Sequence, residues 1–185
     1  MKQKSNGTIQ LALAGLMAAM VFAGSLIQIP IGPSRVHLGN SMILLAGFLL
    51  GPVPGGLAGG IGSLLFDIIL YGSDPLTCLV TFVSKFLMGF IAGLLFAAKN
   101  GRKLTGAKEI GRLVLAGVLG EAAYIVIYLA EVFVKFHYIN GTTAEAAMAA
   151  VAGSLAASLF NAVTAVVISC ILYKALKIPV QRVLR

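Results

Sequence analysis

The chain has 185 residues, 59% of them hydrophobic and 11% charged, with 22 glycines, no tryptophan and a formal net charge of +8. A soluble domain carries about 45–50% apolar and ~25% charged residues, so this composition excludes an ordinary soluble fold and predicts an all-α, polytopic membrane protein. A bilayer core of about 30 Å takes roughly 20 apolar residues per helix, which allows six or seven spans and makes residues 1–185 one membrane domain without a soluble catalytic unit.

Apolar runs broken by glycine, proline and charge define six segments, at 8–28, 37–50, 54–71, 76–98, 109–134 and 145–175. The first follows Lys2 and Lys4, runs for about 20 apolar residues and lacks an A-x-A cleavage end, so it reads as a retained helix and not a signal peptide. Ala14 and Ala18 stand four apart on it, and Gly15, Ala19 and Ala23 repeat the interval. Small residues at this spacing let helices approach closely in lipid, either within the bundle or against another subunit. The following connection holds Pro30, Pro33, Arg35, His37 and Asn40 and reads as an irregular loop, either a lid over a pocket or a solvated turn with Arg35 at the headgroups. Segment two is short for a span, and Gly51-Pro52-Val53-Pro54 separates it from segment three by a tight turn. Cys78 and Cys170 lie in apolar runs without the spacing of a disulfide frame or metal site, so no metal is expected.

Basic residues collect on the cytoplasmic side of membrane proteins. With six spans and the N-terminus inside, every Lys and Arg except Arg35, Lys85 and Lys135 falls in the cytoplasm, in the groups Lys2 and Lys4, Lys99 to Arg112, and Lys174 to Arg185. The C-terminus is then cytoplasmic as well. An odd number of spans would put the last group on the wrong side.

Ionisable residues inside spans are costly and usually face the bundle interior, so they are the first functional candidates. In segment five, Glu121, Tyr124, Tyr128, Glu131 and Lys135 fall within one arc of about 80° at ~100° per residue. Thr77, Thr81, Ser84 and Lys85 form a similar stripe in segment four, and Ser154, Ser158 and Asn161 form one in segment six. These stripes predict one pocket open to the outside, with Tyr124 and Tyr128 offering ring faces and hydroxyls to a small planar ligand. The competing reading is structural: a Lys85 to Glu121 ion pair, hydroxyls bonded back to their own helices, and Tyr138 as an interfacial anchor. Asp67 bonds a lid residue or caps the bundle edge.

Neither a P-loop, a G-x-S-x-G nor an H-E-x-x-H string is present, so no catalytic residue is assigned, and ATP coupling must come from a partner. Basic residues at the inner face suit lipid headgroups and not nucleic acid.

The strings His37-Leu38-Gly39-Asn40, Leu49-Leu50-Gly51-Pro52, Gly59-Gly60-Ile61-Gly62-Ser63 with Asp67, and Thr81-Phe82-Val83-Ser84-Lys85 with Met88-Gly89 resemble the substrate-binding S components of energy-coupling factor (ECF) vitamin transporters over nearly the whole chain. They look most like the branch for pantothenate, hydroxymethylpyrimidine and pyridoxine, although many relatives carry Asp where this chain has Asn40. The resemblance implies a prokaryotic plasma-membrane subunit without a cofactor. It binds its vitamin from outside through the first loop and helices four to six, then docks on a transmembrane T subunit carrying two cytoplasmic ATPases. Ala14 and Ala18 match the family's T-subunit contact motif. The substrate-binding candidates are Arg35, His37, Asn40, Thr81, Lys85, Glu121, Tyr124, Tyr128 and Asn161. Their mixed charge favours a neutral ring such as hydroxymethylpyrimidine or a pyridoxine-like compound. Pantothenate is the alternative ligand, and a small channel or a membrane-embedded enzyme the alternative class.

Overall fold

The computed structural model describes residues 7–31, 34–97 and 105–184. Lys2, Lys4, Pro33, Lys99, Arg102, Lys103 and Arg185, which enter the charge and loop readings above, lie outside these residues. Among the described residues six α-helices occur in the order anticipated: α1 (Gly7–Leu26), α2 (Gly39–Leu50), α3 (Pro52–Phe66), α4 (Pro75–Ala97), α5 (Ala107–Val134) and α6 (Ala144–Val183). α3 and α5 continue as single π-helical turns over Asp67–Tyr71 and Lys135–Ile139. Among the described residues, five helices are long and apolar enough to cross a membrane. The protein is thus an all-α polytopic membrane protein in architecture.

Two features depart from the sequence reading, and the short second segment, enclosed by its neighbours, agrees with it. The connection expected as an irregular loop contains an antiparallel hairpin of β1 (Gln28–Ile31) and β2 (Ser34–His37), with Gln28 opposite His37. α6 runs past residue 175 to Val183, 40 residues in all, even though Pro179 lies within it. Its basic end is tied to the start of α5, where Glu109 accepts from Lys177 Nζ through both oxygens at 2.9 and 3.0 Å. α2 has 12 residues, a rise of about 18 Å at 1.5 Å per residue, so it is too short to span alone. It is instead enclosed by protein: Gly39, Asn40, Ser41 and every residue from Ile43 to Phe48 are buried. A helix apolar all round belongs in the middle of a bundle, and its neighbours supply the apolar surroundings that its length cannot reach.

Glycine makes that central position accessible. α2 ends at Leu50, Gly51 takes φ 88° and ψ −174°, and Pro52 opens α3 at once. That backbone region is essentially restricted to glycine, while proline suits the first helical position because its missing N–H would be unbonded there anyway. α3 then presents glycines to α2 and α4. A Cβ built on Gly55 would lie 2.5 Å from Gly47 Cα, and one on Gly56 would meet the Phe86 ring at 3.0 Å. Phe82, Phe86 and Phe90 stack along α4 with centroid separations of 6.2 and 5.7 Å. Around α2 the core gathers Val21, Ile43, Leu44, Leu45, Phe48, Met88, Leu113 and Tyr173.

Candidate functional site

A cavity of about 250 Å3 opens at the end of the bundle that carries the hairpin, the α3 to α4 connection and the end of α5. α4 and α5 supply the walls that their stripes predicted, with Thr77, Thr81, Ser84 and Lys85 facing Tyr124, Tyr128, Glu131 and Lys135. The remaining walls come from elsewhere than expected. Ser25 of α1, Ser63 of α3, Asp67 of the π-turn that follows it, and Gln28, Arg35 and His37 of the hairpin line the cavity, whereas no α6 residue does so among those described.

Asn161 explains the difference. Its side-chain Oδ1 accepts the His37 backbone N–H at 3.2 Å and its Nδ2 donates to the Arg35 carbonyl at 3.2 Å. The amide thereby acts as a one-residue neighbouring strand along β2, satisfying an edge that would otherwise expose its donor and acceptor. On the other side, the Arg35 guanidinium lies 3.8 Å over the Tyr71 ring, and Gln28 Nε2 donates to Tyr71 Oη at 2.6 Å. The hairpin is therefore held between α6 and the π-turn of α3. His37 Nδ1 accepts the Gly39 N–H at 3.1 Å at the start of α2. Burial, with Lys85 and Arg35 nearby, holds the His37 imidazole down to about 3, so the ring is neutral at physiological pH.

Lys85 reaches the cavity with its ammonium 3.4 Å over the Tyr124 ring. It also donates to Asn40 Oδ1 at 2.6 Å, and Asn40 Nδ2 donates to Glu121 Oε2 at 3.1 Å. Lys85 and Glu121 are thus connected through an amide and not as a direct ion pair. Asn40 and Glu121 stand behind the cavity wall and do not line it. Tyr124 and Tyr128, one helical turn apart, are stacked at 5.7 Å with planes 13° apart. Thr81 Oγ1 donates to Asp67 Oδ2 at 2.6 Å, joining α4 to α3 and not to the hairpin. At the rim, Asp74 caps α4 by accepting the Thr77 N–H at 3.0 Å, ahead of Pro75 at the first helical position. Lys135 donates to Asp74 at 2.7 Å and to Thr77 Oγ1, and lies 3.8 Å from Glu131. Those bonds from Lys135 and Thr77 hold the Asp74 carboxyl well below the usual carboxylate range.

Of the nine candidate ligand residues, Arg35, His37, Thr81, Lys85, Tyr124 and Tyr128 meet at the cavity, while Asn40, Glu121 and Asn161 support it from behind. Glu131 and Lys135 were visible on the α5 stripe but not assigned to the site. Gln28 carried no signal, being a single polar residue at the end of an apolar run, and Ser63 stood in one of the strings that carry the family resemblance but was not assigned to the site. The lining cations Arg35, Lys85 and Lys135 are set against Asp67 and Glu131, with Asp74 one hydrogen bond behind Lys135 and Glu121 two behind Lys85, through Asn40. On α1, Ala14 and Ala18 are half-buried, and the Ala18 carbonyl faces Gly62 closely, whereas Gly15, Ala19 and Ala23 are exposed.

Taken together, an apolar helical bundle and a polar, aromatic cavity under a docked hairpin define a membrane-embedded small-molecule-binding protein. The model of the family described as "ECF-type riboflavin transporter, S component" matches residues 5–178. The chain belongs to this family of ECF transporter S components, vitamin-binding transporter subunits and not enzymes. It is 36% identical over 120 residues to an uncharacterized protein of the gap 3′ region from Pyrococcus woesei, covering 64% of this chain and 74% of that protein. It is 31% identical over 140 residues to a UPF0397 protein of Lactiplantibacillus plantarum, covering 74% of this chain and 67% of the relative. A solved S component of a bacterial ECF transporter superposes with a TM-score of 0.65 at 17% identity, covering 92% of this chain and 96% of that one, which establishes the shared fold.

Proposed function

We propose that the chain, acting as one membrane domain over residues 1–185, captures a neutral, single-ring heteroaromatic vitamin or precursor from outside a prokaryotic cell. Hydroxymethylpyrimidine and pyridoxine are the leading ligands. The observation that carries this reading is the cavity itself, small, lined by Tyr124 and Tyr128, and nearly balanced in charge. A carboxylate ligand such as pantothenate suits that balance less well, because it adds an anion without a spare cation. Riboflavin is the second reading, favoured by the description of the matching family.

The charge pattern supports an outward-facing cavity, six spans and cytoplasmic termini. Lys108, Arg112, Lys174, Lys177 and Arg182 gather at the end opposite the cavity, where positive residues mark the cytoplasmic side. α2 completes its crossing as a buried helix within the bundle. Uptake then requires a T subunit and two ATPase subunits to supply the energy.

The first test is calorimetry and thermal unfolding of the purified chain against hydroxymethylpyrimidine, pyridoxine, riboflavin and pantothenate. A ligand at 100 times its Kd stabilises the folded state by about 2.7 kcal/mol. One single-ring compound should bind, and Tyr128→Ala should weaken it at least tenfold. Tight binding of riboflavin alone selects the second reading, and silence across the panel refutes the vitamin assignment.

Docking on the T subunit is assigned to α1. Its outward face combines the half-buried Ala14 and Ala18 with the exposed Gly15 and Ala19. Leucine at Gly15 and Ala19 should abolish uptake in cells supplying the partner subunits while ligand affinity of the isolated chain stays within about twofold, since a bulky residue blocks close helix approach in lipid. Undiminished uptake would remove α1 from the docking surface.

A further inference from the structure

Lys85 and Glu121 carry opposite charges and are 5% and 1% exposed, and the side chain joining them, Asn40, is fully buried. The amide is oriented by its neighbours, accepting from the ammonium at 2.6 Å and donating to the carboxylate at 3.1 Å. Asparagine offers a donating NH2 group and an accepting carbonyl oxygen without charge, so one cation is matched by one anion across it. Aspartate at this position would have no proton for Glu121 and would set two carboxylates against each other. Such a buried arrangement is tolerable when every charge is compensated, because an unmatched ion in the interior is expensive. Lys85 alone of the three lines the cavity. The other lining charges, Arg35 and Lys135 against Asp67 and Glu131, are equal in number, and Asp74 behind Lys135 adds a further anion and no spare cation.

We infer that Glu121, acting through Asn40, determines ligand charge: it compensates Lys85, so that Lys85 meets the ligand as a hydrogen-bond donor and the cavity selects uncharged rings over carboxylate-bearing ligands. Glu121 is on this account a specificity-determining residue that never touches the ligand. The inference rests on the ring-ligand reading above and extends it to the residue that enforces it.

The test is calorimetry on the full chain with three uncharged compounds, hydroxymethylpyrimidine, pyridoxine and riboflavin, and two anions, nicotinate and pantothenate. Wild type should prefer an uncharged compound. Glu121→Gln keeps the shape and an acceptor for Asn40 but removes the charge. It should shift the ratio of affinities toward the anions by at least about tenfold, equivalent to ~1.4 kcal/mol. Glu121→Ala should shift it in the same direction. If the single variants do not fold, Lys85→Met combined with Glu121→Gln removes both charges together and should keep the preference for uncharged ligands. An unchanged ratio in Glu121→Gln, an equal weakening of all ligands, or loss of the preference in the double variant overturns the inference and leaves the S-component reading intact. Tightest binding of an anion by wild type also overturns it. Binding of none of the five refutes the ring-ligand reading, and the inference falls with it.

Discussion

Gly47→Leu is expected to leave little folded protein, and Gly47→Ala to lower the thermal unfolding midpoint sharply. A Cβ on Gly47 would lie 2.5 Å from the Gly89 carbonyl oxygen and 3.1 Å from the Gly93 nitrogen, and the reciprocal atom on Gly55 would lie 2.5 Å from Gly47 Cα. These obstacles are backbone atoms, which cannot rotate out of the way as a side chain can. Helices α2, α3 and α4 would have to separate, and the core packed around Ile43, Leu44 and Met88 would lose contact with them. Overpacking of a core costs about 1–3 kcal/mol when side chains can adjust, and a backbone crossing should reach or exceed the upper figure. The same crossing carries Asn40 and Lys85, so ligand affinity should fall with stability. Gly15 is the control, because its Cβ would meet nothing within 4 Å. Gly15→Ala should be neutral or raise helix stability by up to ~1 kcal/mol. Circular dichroism of the detergent-solubilised variants measures both, and equal midpoints for Gly47→Ala and Gly15→Ala would contradict the packing argument.

The second large effect is on the acid side of neutrality. His37 is held neutral in the folded protein, with its value lowered from 6.5 to about 3. Below 6.5 the unfolded chain binds a proton that the folded chain refuses, so stability is retained above that value and declines as the pH falls toward 3. The loss reaches at most about 1.4 kcal/mol per pH unit within this window. Geometry gives the same sign, since a proton on Nδ1 would destroy the acceptor that holds the Gly39 N–H. The hairpin should therefore loosen from α2 as the pH drops. Unfolding midpoints of wild type and His37→Gln, compared between pH 7 and pH 4.5, isolate this contribution. The wild-type slope should exceed that of the variant, and parallel slopes would show that His37 does not stay neutral in the folded chain.

Residue types and their spacing determined the helical part of this protein. Six apolar runs became six helices because a lipid environment requires backbone groups to be bonded within each segment, which makes hydropathy directly informative. The α4 and α5 stripes were legible for a related reason: polar residues in apolar helices have few places to go other than inward, and 3.6-residue periodicity shows which ones share a face. Tyr124 and Tyr128, one turn apart, accordingly stack on the same wall.

What depends on contacts between distant segments was decided by tertiary structure. Residues 29–40 contain two prolines and read as a loop, yet Gln28–Ile31 and Ser34–His37 pair as strands, and Asn161, more than 120 positions away, completes the outer edge of β2. The α6 stripe looked like a third ligand-binding face, but its amide is committed to that backbone, and Ser63 and Gln28 take its place in the cavity. Asn40 sat in the sequence as part of a loop motif, and its role followed only when α2 was enclosed between the helices carrying Lys85 and Glu121. Periodicity specifies the face of one helix, whereas the partner of a buried charge is set by which helices cross and how closely. Glycines at the α2, α3 and α4 crossing permit that approach, and the balance of charge around the cavity depends on it.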